Sequence, residues 1–201
     1  MKLYYSPGAC SLAPHIAMRE LGIPVDLQKV DLKAKQYEGG DYKQVNGKGY
    51  VPAIQTDDGT VLTEAPVILQ YLADQKPEAG LAPKPGDKAR YKLQETLNFI
   101  TSELHKGMGA FFSPAMNDGW RQAMTERLGL RFDWLAKQLE GKQYLMGDKF
   151  SVADAYLFTI LNWAPVVKFD LSRWPAITEY HKRVGARPKV QETLKAEGLV
   201  K

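Results

Sequence analysis

Residues 1–12 read MKLYYSPGACSL. The short apolar and aromatic run that ends at Tyr5 is typical of a buried strand, and Ser6-Pro7-Gly8 breaks it into a loop. Apolar residues then recur at helical spacing as far as Leu21, after which Gly22-Ile23-Pro24 ends the pattern. Because residues 26–31 alternate as a second strand, the opening predicts a strand, a crossover helix and a parallel strand.

The next part of the chain predicts the rest of an α/β domain. Residues 33–50 are polar and rich in glycine, which indicates loops with at most one short helix. Two strand patterns at 51–55 and 61–63 flank Asp58-Gly59, a pair that favours a hairpin. A helical pattern at 65–73 follows. This order predicts a four-stranded mixed sheet with helices packed against it.

A boundary is predicted after this domain. Residues 76–86 carry three prolines and two glycines, which is typical of a linker. Beyond it, helical patterns dominate at about 87–112, 118–139, 151–162 and 177–186. We therefore predict an α/β domain at 1–76, a linker at 77–86 and an all-helical domain at 87–201.

Composition limits the classes of function. The chain has 201 residues, 44% of them hydrophobic and 25% charged, as in ordinary globular proteins. Its net charge of +4 comes from scattered side chains without a basic run, which argues against a nucleic-acid partner but favours small anionic ligands. No stretch predicts a signal sequence or a membrane span, and a single cysteine fits a reducing compartment, so we expect a cytoplasmic protein.

That cysteine, Cys10, lies where the first loop meets a helix N-terminus. Backbone N–H groups and the helix dipole at such a place stabilise an anion and lower the pKa of a thiol. A small buried hydrophobe is the alternative interpretation. No second cysteine completes a Cys-x-x-Cys pair, so a dithiol redox cycle is excluded.

Two further segments could bind a peptide-like ligand. Val51-Pro52 opens a strand, where an exposed backbone edge could pair with a ligand, although a plain edge-strand proline is the favoured interpretation of this motif by itself. Glu64 precedes a helix whose free N–H groups could hold a carboxylate while Glu64 holds an ammonium group. The alternative is that Thr63 or Glu64 only caps this helix.

The first helix after the linker carries a polar stripe beside its apolar one. Asn98, Ser102 and His105 recur at spacings of four and three, as expected for the wall of a cleft. In that position His105 could donate a hydrogen bond to a sulfur atom. A histidine on a solvated helix flank is the alternative interpretation.

Other motifs indicate structure rather than chemistry. Ser151-Val152-Ala153-Asp154 has the form of a capping box, so we assign it to folding. His15 and His181 have no companions at metal-ligand spacing, so we expect no metal site.

Together these residues resemble the bacterial beta-class glutathione transferases over essentially the whole chain. Each matching piece is short, but their order and spacing make the resemblance specific. The pieces are MKLYYSPGACSL at 1–12, GYVPA at 49–53, LTE at 62–64, SELHK at 102–106 and SVADAYLF at 151–158.

The resemblance implies a thioredoxin-like domain fused to a helical bundle, a homodimer, and glutathione as co-substrate with no bound cofactor. It implies that Cys10 contacts the glutathione sulfur or forms a mixed disulfide with it, and that His105 forms a hydrogen bond nearby. It also implies glutathione contacts for Lys35 with the glycyl carboxylate, Val51 before a cis Pro52, Glu64 and Ala65 at the γ-glutamyl end, and Asn98, Ser102 and Glu103 on the helical side, some of them from the neighbouring subunit.

The implied activity is conjugation of glutathione to hydrophobic electrophiles, a detoxification reaction. A glutathione-dependent thiol-disulfide oxidoreductase that uses Cys10, and a non-catalytic binder, are the alternatives. Apolar residues expected to line the electrophile pocket are Phe111, Phe112, Met116 and Trp163.

The chain departs from the family pattern at two positions. Many relatives have serine where this chain has Ala65, which removes a hydroxyl contact worth about 1 kcal/mol. Gly47 replaces a common proline, so we expect a more mobile rim to the site.

Overall fold

The computed structural model describes residues 1–201. Its first part forms a mixed sheet with the strand order β4-β3-β2-β1-β5-β6. The strands are β1 (Lys2–Tyr5), β2 (Asp26–Asp31), β3 (Gln36–Tyr37), β4 (Gly40–Asp41), β5 (Ala53–Gln55) and β6 (Val61–Thr63).

The pairing of the central strands confirms the predicted topology. β1 and β2 are parallel, with Lys2 opposite Asp26, and helix α1 (Leu12–Glu20) crosses between them. β1 and β5 are antiparallel, as are β5 and β6, which form the predicted hairpin. The sheet and its helices form a thioredoxin-like domain.

The sheet has six strands, so the predicted number of four was wrong. The extra strands, β3 and β4, form a small hairpin on the edge of β2, where Tyr37 lies opposite Val30. The ring of Tyr37 packs edge-on against Tyr4, with centroids 5.3 Å apart. Strands of two residues are too short to show alternation, so this polar segment gave no strand signal. The one short helix expected there is a single 3-10 turn at Tyr42–Gln44.

The second part of the chain is helical, as predicted. Five helices match the four predicted patterns, because the first pattern holds two of them, whereas the short helix after Asn162 and the last helix lie outside the patterns. The helices after α1 are α2 (Ala65–Gln75), α3 (Lys88–Phe99), α4 (Lys106–Ala110), α5 (Asp118–Leu139), α6 (Val152–Leu161), α7 (Trp163–Val166), α8 (Pro175–Gly185) and α9 (Pro188–Ala196). None of them combines the length and hydrophobicity that a bilayer span requires.

The long helix predicted at 87–112 is interrupted. A π-helical segment, Ile100–His105, joins α3 to α4. A π turn bonds each N–H one residue further back than an α turn does, so it shifts the faces of the helix that follow it. Residues on either side of the segment therefore no longer share the face that regular spacing predicts.

The two parts of the chain share one hydrophobic core. A cluster of 44 buried residues runs from Leu3 to Leu194, and α1 packs against α6 and α9 as well as α2. A second cluster of five lies on the other face of the sheet: Tyr4, Val30, Tyr42, Val51 and Ala53. The domain limits at 76 and 87 stay a prediction.

Candidate functional site

Cys10 lies in a loop whose two ends, Ser6 and Ser11, are hydrogen-bonded to each other. Ser11 Oγ accepts a hydrogen bond from the Ser6 N–H at 3.1 Å and donates one to the Ser6 carbonyl at 3.2 Å. Gly8 allows the turn with a φ of 71°, in the left-handed region that favours glycine. The loop thereby directs the Cys10 thiol across the sheet edge, where Sγ donates to the carbonyl of Val51 at 3.0 Å.

The pKa of this thiol is not low, contrary to the expectation from its place at a helix N-terminus. Cys10 keeps some exposed surface. Burial of the sulfur nevertheless raises its pKa to about 12, although the N–H groups of Cys10 and Ser11 act in the opposite direction. Glu64 raises the pKa further and Lys106 lowers it. In the ligand-free protein Cys10 is therefore a neutral thiol and a hydrogen-bond donor at physiological pH.

Val51 presents backbone groups beside Cys10. The bond between Val51 and Pro52 is cis. The carbonyl of Val51 accepts a hydrogen bond from the Cys10 thiol, while the Val51 N–H has no hydrogen-bond partner in the protein. A free N–H next to a carbonyl bonded only to a thiol is a place where an extended peptide-like ligand could pair with the chain.

The loop before Val51 is braced by side chains below it. The carbonyl of Tyr50 accepts hydrogen bonds from the Tyr42 hydroxyl at 2.8 Å and from the Asn46 amide at 2.7 Å. Lys35 donates from Nζ to the carbonyl of Gly49 at 2.9 Å and lies over the Tyr50 ring. Lys35 is thus placed at the rim of the site beside the Val51 segment.

Glu64 lies at the start of α2 in an unusual conformation. Its φ is 69°, which is rare for a residue with a side chain and is found preferentially at functional sites. No side chain caps α2, so the interpretation of Thr63 or Glu64 as a mere cap was wrong. Instead, the Lys48 ammonium group bonds both Glu64 and Thr63. The Ala65 N–H is unpaired within the protein, so a carboxylate and a free helix N–H lie side by side.

His105 faces this site from the helical part of the chain. It is mostly buried, so the interpretation as a solvated surface histidine was wrong. Its Nδ1 lies 2.6 Å from the Tyr156 hydroxyl, and its ring packs edge-on against Trp163 with centroids 5.0 Å apart. Burial lowers the pKa of His105 to about 4, and the charge of Lys106 lowers it further while Glu64 opposes this. The imidazole is therefore neutral at pH 7.

Three predicted residues are not brought to Cys10 within one chain. Asn98 and Ser102 lie exposed on the helix surface, where Ser102 Oγ donates to the Asn98 carbonyl at 2.9 Å. Glu103 is bound by Arg131 of α5 at 2.6 Å and by Arg127 at 3.3 Å. Asn98 and Ser102 are exposed, whereas His105 is mostly buried against Tyr156 and Trp163, so the predicted polar stripe does not hold together.

Only some of the residues predicted for the apolar pocket lie together near His105. Phe112, half of whose surface is exposed, packs edge-on against Trp163 at 5.4 Å and so extends the wall that His105 begins. Phe111 instead packs against Phe169 under the guanidinium of Arg121. That side of the helical part holds an open groove of about 670 Å³, away from Cys10. Met116 lies in the turn that leads into α5.

Two residues of the helical part hold the Cys10 loop through contacts that the sequence did not indicate. Trp163 Nε1 donates to the Gly8 carbonyl at 2.9 Å, and the Gly8 N–H donates to Glu197 at 2.9 Å. Glu197 is fully buried and also bonds His15. Tyr156 belongs to the SVADAYLF match, but nothing in its local pattern indicates a contact with His105.

Comparisons with known proteins show the family of the chain. Residues 8–75 match the family model of the glutathione S-transferase N-terminal domain, and residues 99–188 match that of the C-terminal domain. Glutathione S-transferase GstA of Escherichia coli O157:H7 is 44% identical over 200 residues, which cover 99% of this chain and 100% of the relative.

Two solved structures resemble this chain over their full length. A bacterial beta-class glutathione S-transferase from Sphingomonas chungbukensis has a TM-score of 0.95 and 47% identity, with full coverage of both chains. A sphingomonad glutathione S-transferase complexed with glutathione has a TM-score of 0.95 and 46% identity, again with 100% coverage of each chain.

Proposed function

This chain belongs to the glutathione S-transferase family, and we propose that it conjugates glutathione to hydrophobic electrophiles in a detoxification role. The observation that carries the proposal is the pairing of the Cys10 thiol with the Val51 carbonyl. The backbone edge that would receive the cysteinyl unit of glutathione lies directly beside a sulfur-donor group and a helix N-terminus.

The rim of this edge supplies groups for the two ends of glutathione. Glu64 and the free N–H of Ala65 suit the ammonium and carboxylate groups of the γ-glutamyl end, and Lys35 suits the glycyl carboxylate. In the free protein Lys48 bonds Glu64, and Lys35 bonds Gly49. Glutathione would therefore compete with Lys48 for Glu64, and its glycyl carboxylate would compete with the Gly49 carbonyl for Lys35.

Binding would also release the Cys10 thiol. An amide N–H of glutathione that pairs with the Val51 carbonyl competes with the Cys10 S–H for the same oxygen. The freed S–H then donates to the glutathione sulfur, together with the backbone N–H groups of Cys10 and Ser11, whose effect on a thiolate is favourable. Lys106 adds a positive charge to the same neighbourhood.

These donors support a conjugation step. The thiol proton of glutathione passes to solvent, and the thiolate forms a carbon–sulfur bond with the electrophile. With an aryl halide, the halide leaves with the bonding electron pair. Phe112 and Trp163 offer an apolar wall for the electrophile next to His105, and Met116, in the turn before α5, is the further residue we propose for this pocket.

The state of Cys10 argues against the oxidoreductase alternative. Disulfide exchange needs a thiolate as the attacking group. With a pKa of about 12, Cys10 has almost no thiolate at pH 7 in the free protein. Its role is therefore to donate a hydrogen bond rather than to attack a disulfide.

We propose that the active form is a cytoplasmic homodimer. Val67 on α2 and Tyr91 on α3 are large apolar residues with 48% and 63% of their surface exposed, on helices that pack together. Tyr91, Asn98 and Ser102 lie at spacings of seven and four, which place them on one helix face. A dimer that buries Tyr91 would turn Asn98 and Ser102, with Glu103 beside them, toward the site of the partner subunit.

The test is a calorimetric titration of reduced glutathione into the pre-reduced protein, followed by an assay with an aryl halide. We expect saturable binding and product formation, with both weakened in Cys10→Ala and His105→Ala. Lys168→Ala, a substitution in the distant groove, is the matched control. Binding without product from any electrophile would support the non-catalytic alternative instead.

A further inference from the structure

Tyr156 of α6 is the closest polar neighbour of His105. The two side chains meet at 2.6 Å between the hydroxyl oxygen and Nδ1, with their rings perpendicular. His105 makes no other hydrogen bond, so Nε2 is left without a partner in the protein. The proton on the imidazole can lie on either nitrogen, and the bond to Tyr156 decides which.

The surroundings of Tyr156 determine the direction of that bond. Thr101 Oγ1 lies 3.4 Å from the Tyr156 hydroxyl but only 2.8 Å from the Leu97 carbonyl, so its own proton goes to Leu97. The one short acceptor within reach of the Tyr156 proton is then Nδ1 of His105. If Nδ1 carried the proton instead, the Tyr156 proton would be left with the long contact to Thr101.

The protonation states of both groups agree with this direction. Burial raises the pKa of Tyr156, so its hydroxyl keeps its proton. Burial lowers the pKa of His105 to about 4, so the imidazole carries one proton rather than two. Across the 2.6 Å contact, one group donates and the other accepts.

The His105 ring lies close to the Cys10 loop, because it packs against Trp163, whose Nε1 donates to the Gly8 carbonyl two residues before Cys10. Glu64 raises the pKa of Cys10 and opposes the lowering at His105, while Lys106 lowers the pKa of both. The charge of Cys10 also raises the pKa of Tyr156. These groups therefore feel one another's charge across the cleft.

We propose that Tyr156 is a positioning residue: its hydroxyl donates to Nδ1 of His105 and thereby keeps the imidazole proton on Nε2. Nε2–H is then a fixed donor for a sulfur anion held beside Cys10. Only this last step rests on the proposed glutathione chemistry. The fixed tautomer is a property of the protein itself.

The first experiment observes the tautomer directly in the ligand-free protein. Two-bond proton–nitrogen NMR spectra of the ¹⁵N-labelled protein report which ring nitrogen of each of the three histidines carries the proton. Loss of one set of signals in His105→Gln assigns His105. We expect protonated Nε2 and unprotonated Nδ1 in the wild type, and a mixture of both tautomers in Tyr156→Phe. A protonated Nδ1 in the wild type, or an unchanged tautomer in the variant, would overturn the proposal.

The second experiment is a double-mutant cycle on the conjugation rate. Tyr156→Phe should lower kcat between about threefold and about tenfold, as expected for one hydrogen bond, with the KM for glutathione nearly unchanged. In the His105→Ala background the same substitution should have no further effect. An equal loss in both backgrounds would show a general structural role and overturn the proposal.

Tyr180→Phe is the matched control. Tyr180 is also a buried phenol of the helical part, but it donates to Asp154 and does not contact His105. Its substitution should lower stability without moving the His105 tautomer or kcat. If the wild type formed no conjugate at all, the proposed function would be wrong. The NMR experiment would still test the role of Tyr156, because it needs neither glutathione nor turnover.

Discussion

Asp154 and Glu197 are both buried carboxylates, but their donors come from different distances along the chain. Asp154 accepts hydrogen bonds from the Leu145 N–H at 2.8 Å, the Ser151 N–H at 2.8 Å, the Ser151 hydroxyl at 2.7 Å and the Tyr180 hydroxyl at 2.8 Å. All of these donors lie in the helical part. The carboxylate therefore fastens α6 to the loop before it and to α8.

Glu197 is bound from the other part of the chain. It accepts from the Gly8 N–H at 2.9 Å, 189 residues away in sequence, and pairs with His15 Nδ1 at 2.9 Å. Arg19 donates to the second nitrogen of His15 at 3.4 Å. Since Gly8 lies two residues before Cys10, this carboxylate ties the end of the chain to the candidate site. Asp154 should therefore govern stability alone, and Glu197 both stability and activity.

The largest effect is expected for Asp154→Ala, which leaves four buried donors without an acceptor. The free energy of unfolding should fall by about 3 to 5 kcal/mol, as measured by urea denaturation. Asp118→Ala, on the exposed first turn of α5, should change it by less than about 1 kcal/mol. If the Ala variant does not fold, Asp154→Asn gives a milder version. The folded variant should keep kcat/KM within about twofold of the wild-type value. A larger loss would contradict the expectation that Asp154, unlike Glu197, affects stability alone.

A somewhat smaller loss of stability, about 2 to 4 kcal/mol, is expected for Glu197→Ala because two buried groups lose their partner. Glu197→Ala should also change the binding of glutathione. The loosened Gly8 loop should raise the KM for glutathione about fivefold, equivalent to about 1 kcal/mol. Glu192→Ala, which removes an exposed acid from α9, the helix that Glu197 follows, is the control. An unchanged KM at lowered stability would contradict the assigned role in holding the loop.

The same contrast explains what the sequence could predict. Ser151 and Asp154 are three residues apart, and a capping box can be recognised from that spacing alone. The bond between Glu197 and Gly8 depends on how the two parts of the chain pack, which no local pattern encodes. Glu197 therefore had no signal as a functional residue.

Local geometry limited the prediction in two other places. The β3–β4 hairpin is too short to show alternation, and the π segment changes helix periodicity without a mark in the sequence. Cys10, Val51 and Glu64 were found because each lies at the end of a strand or the start of a helix. The raised pKa of Cys10 was not foreseen, because burial depends on tertiary packing.

His105 is a third buried ionisable group, and it extends the comparison to the effect of pH because burial keeps it uncharged. Its pKa is about 4 in the folded protein, against about 6.5 in an unfolded chain. As the pH falls from 6.5 to 4, the unfolded state binds a proton that the folded state does not, so stability decreases. The stability lost to this group should reach about 2 to 3 kcal/mol at pH 4.

His105→Gln removes this titration. Denaturation curves of the wild type and the variant between pH 7 and pH 4 should show a smaller loss of stability in the variant. The difference at pH 7, where the imidazole is neutral in the folded protein, measures the packing change alone. Parallel curves over the whole range would show that His105 is not buried as an uncharged group.

The smallest effect should come from a substitution at the rim of the binding site itself. Ala65→Ser adds a hydroxyl at the first turn of α2, beside the free N–H that we assign to the γ-glutamyl carboxylate. One net hydrogen bond, about 1 kcal/mol, should tighten glutathione binding about fivefold in calorimetry, with the stability changed by less than about 1 kcal/mol. Ala79→Ser, in the exposed turn after α2, controls for the added hydroxyl. If Ala65→Ser left affinity unchanged, the carboxylate would lie elsewhere, and Glu64 would hold its ligand without help from the helix N-terminus.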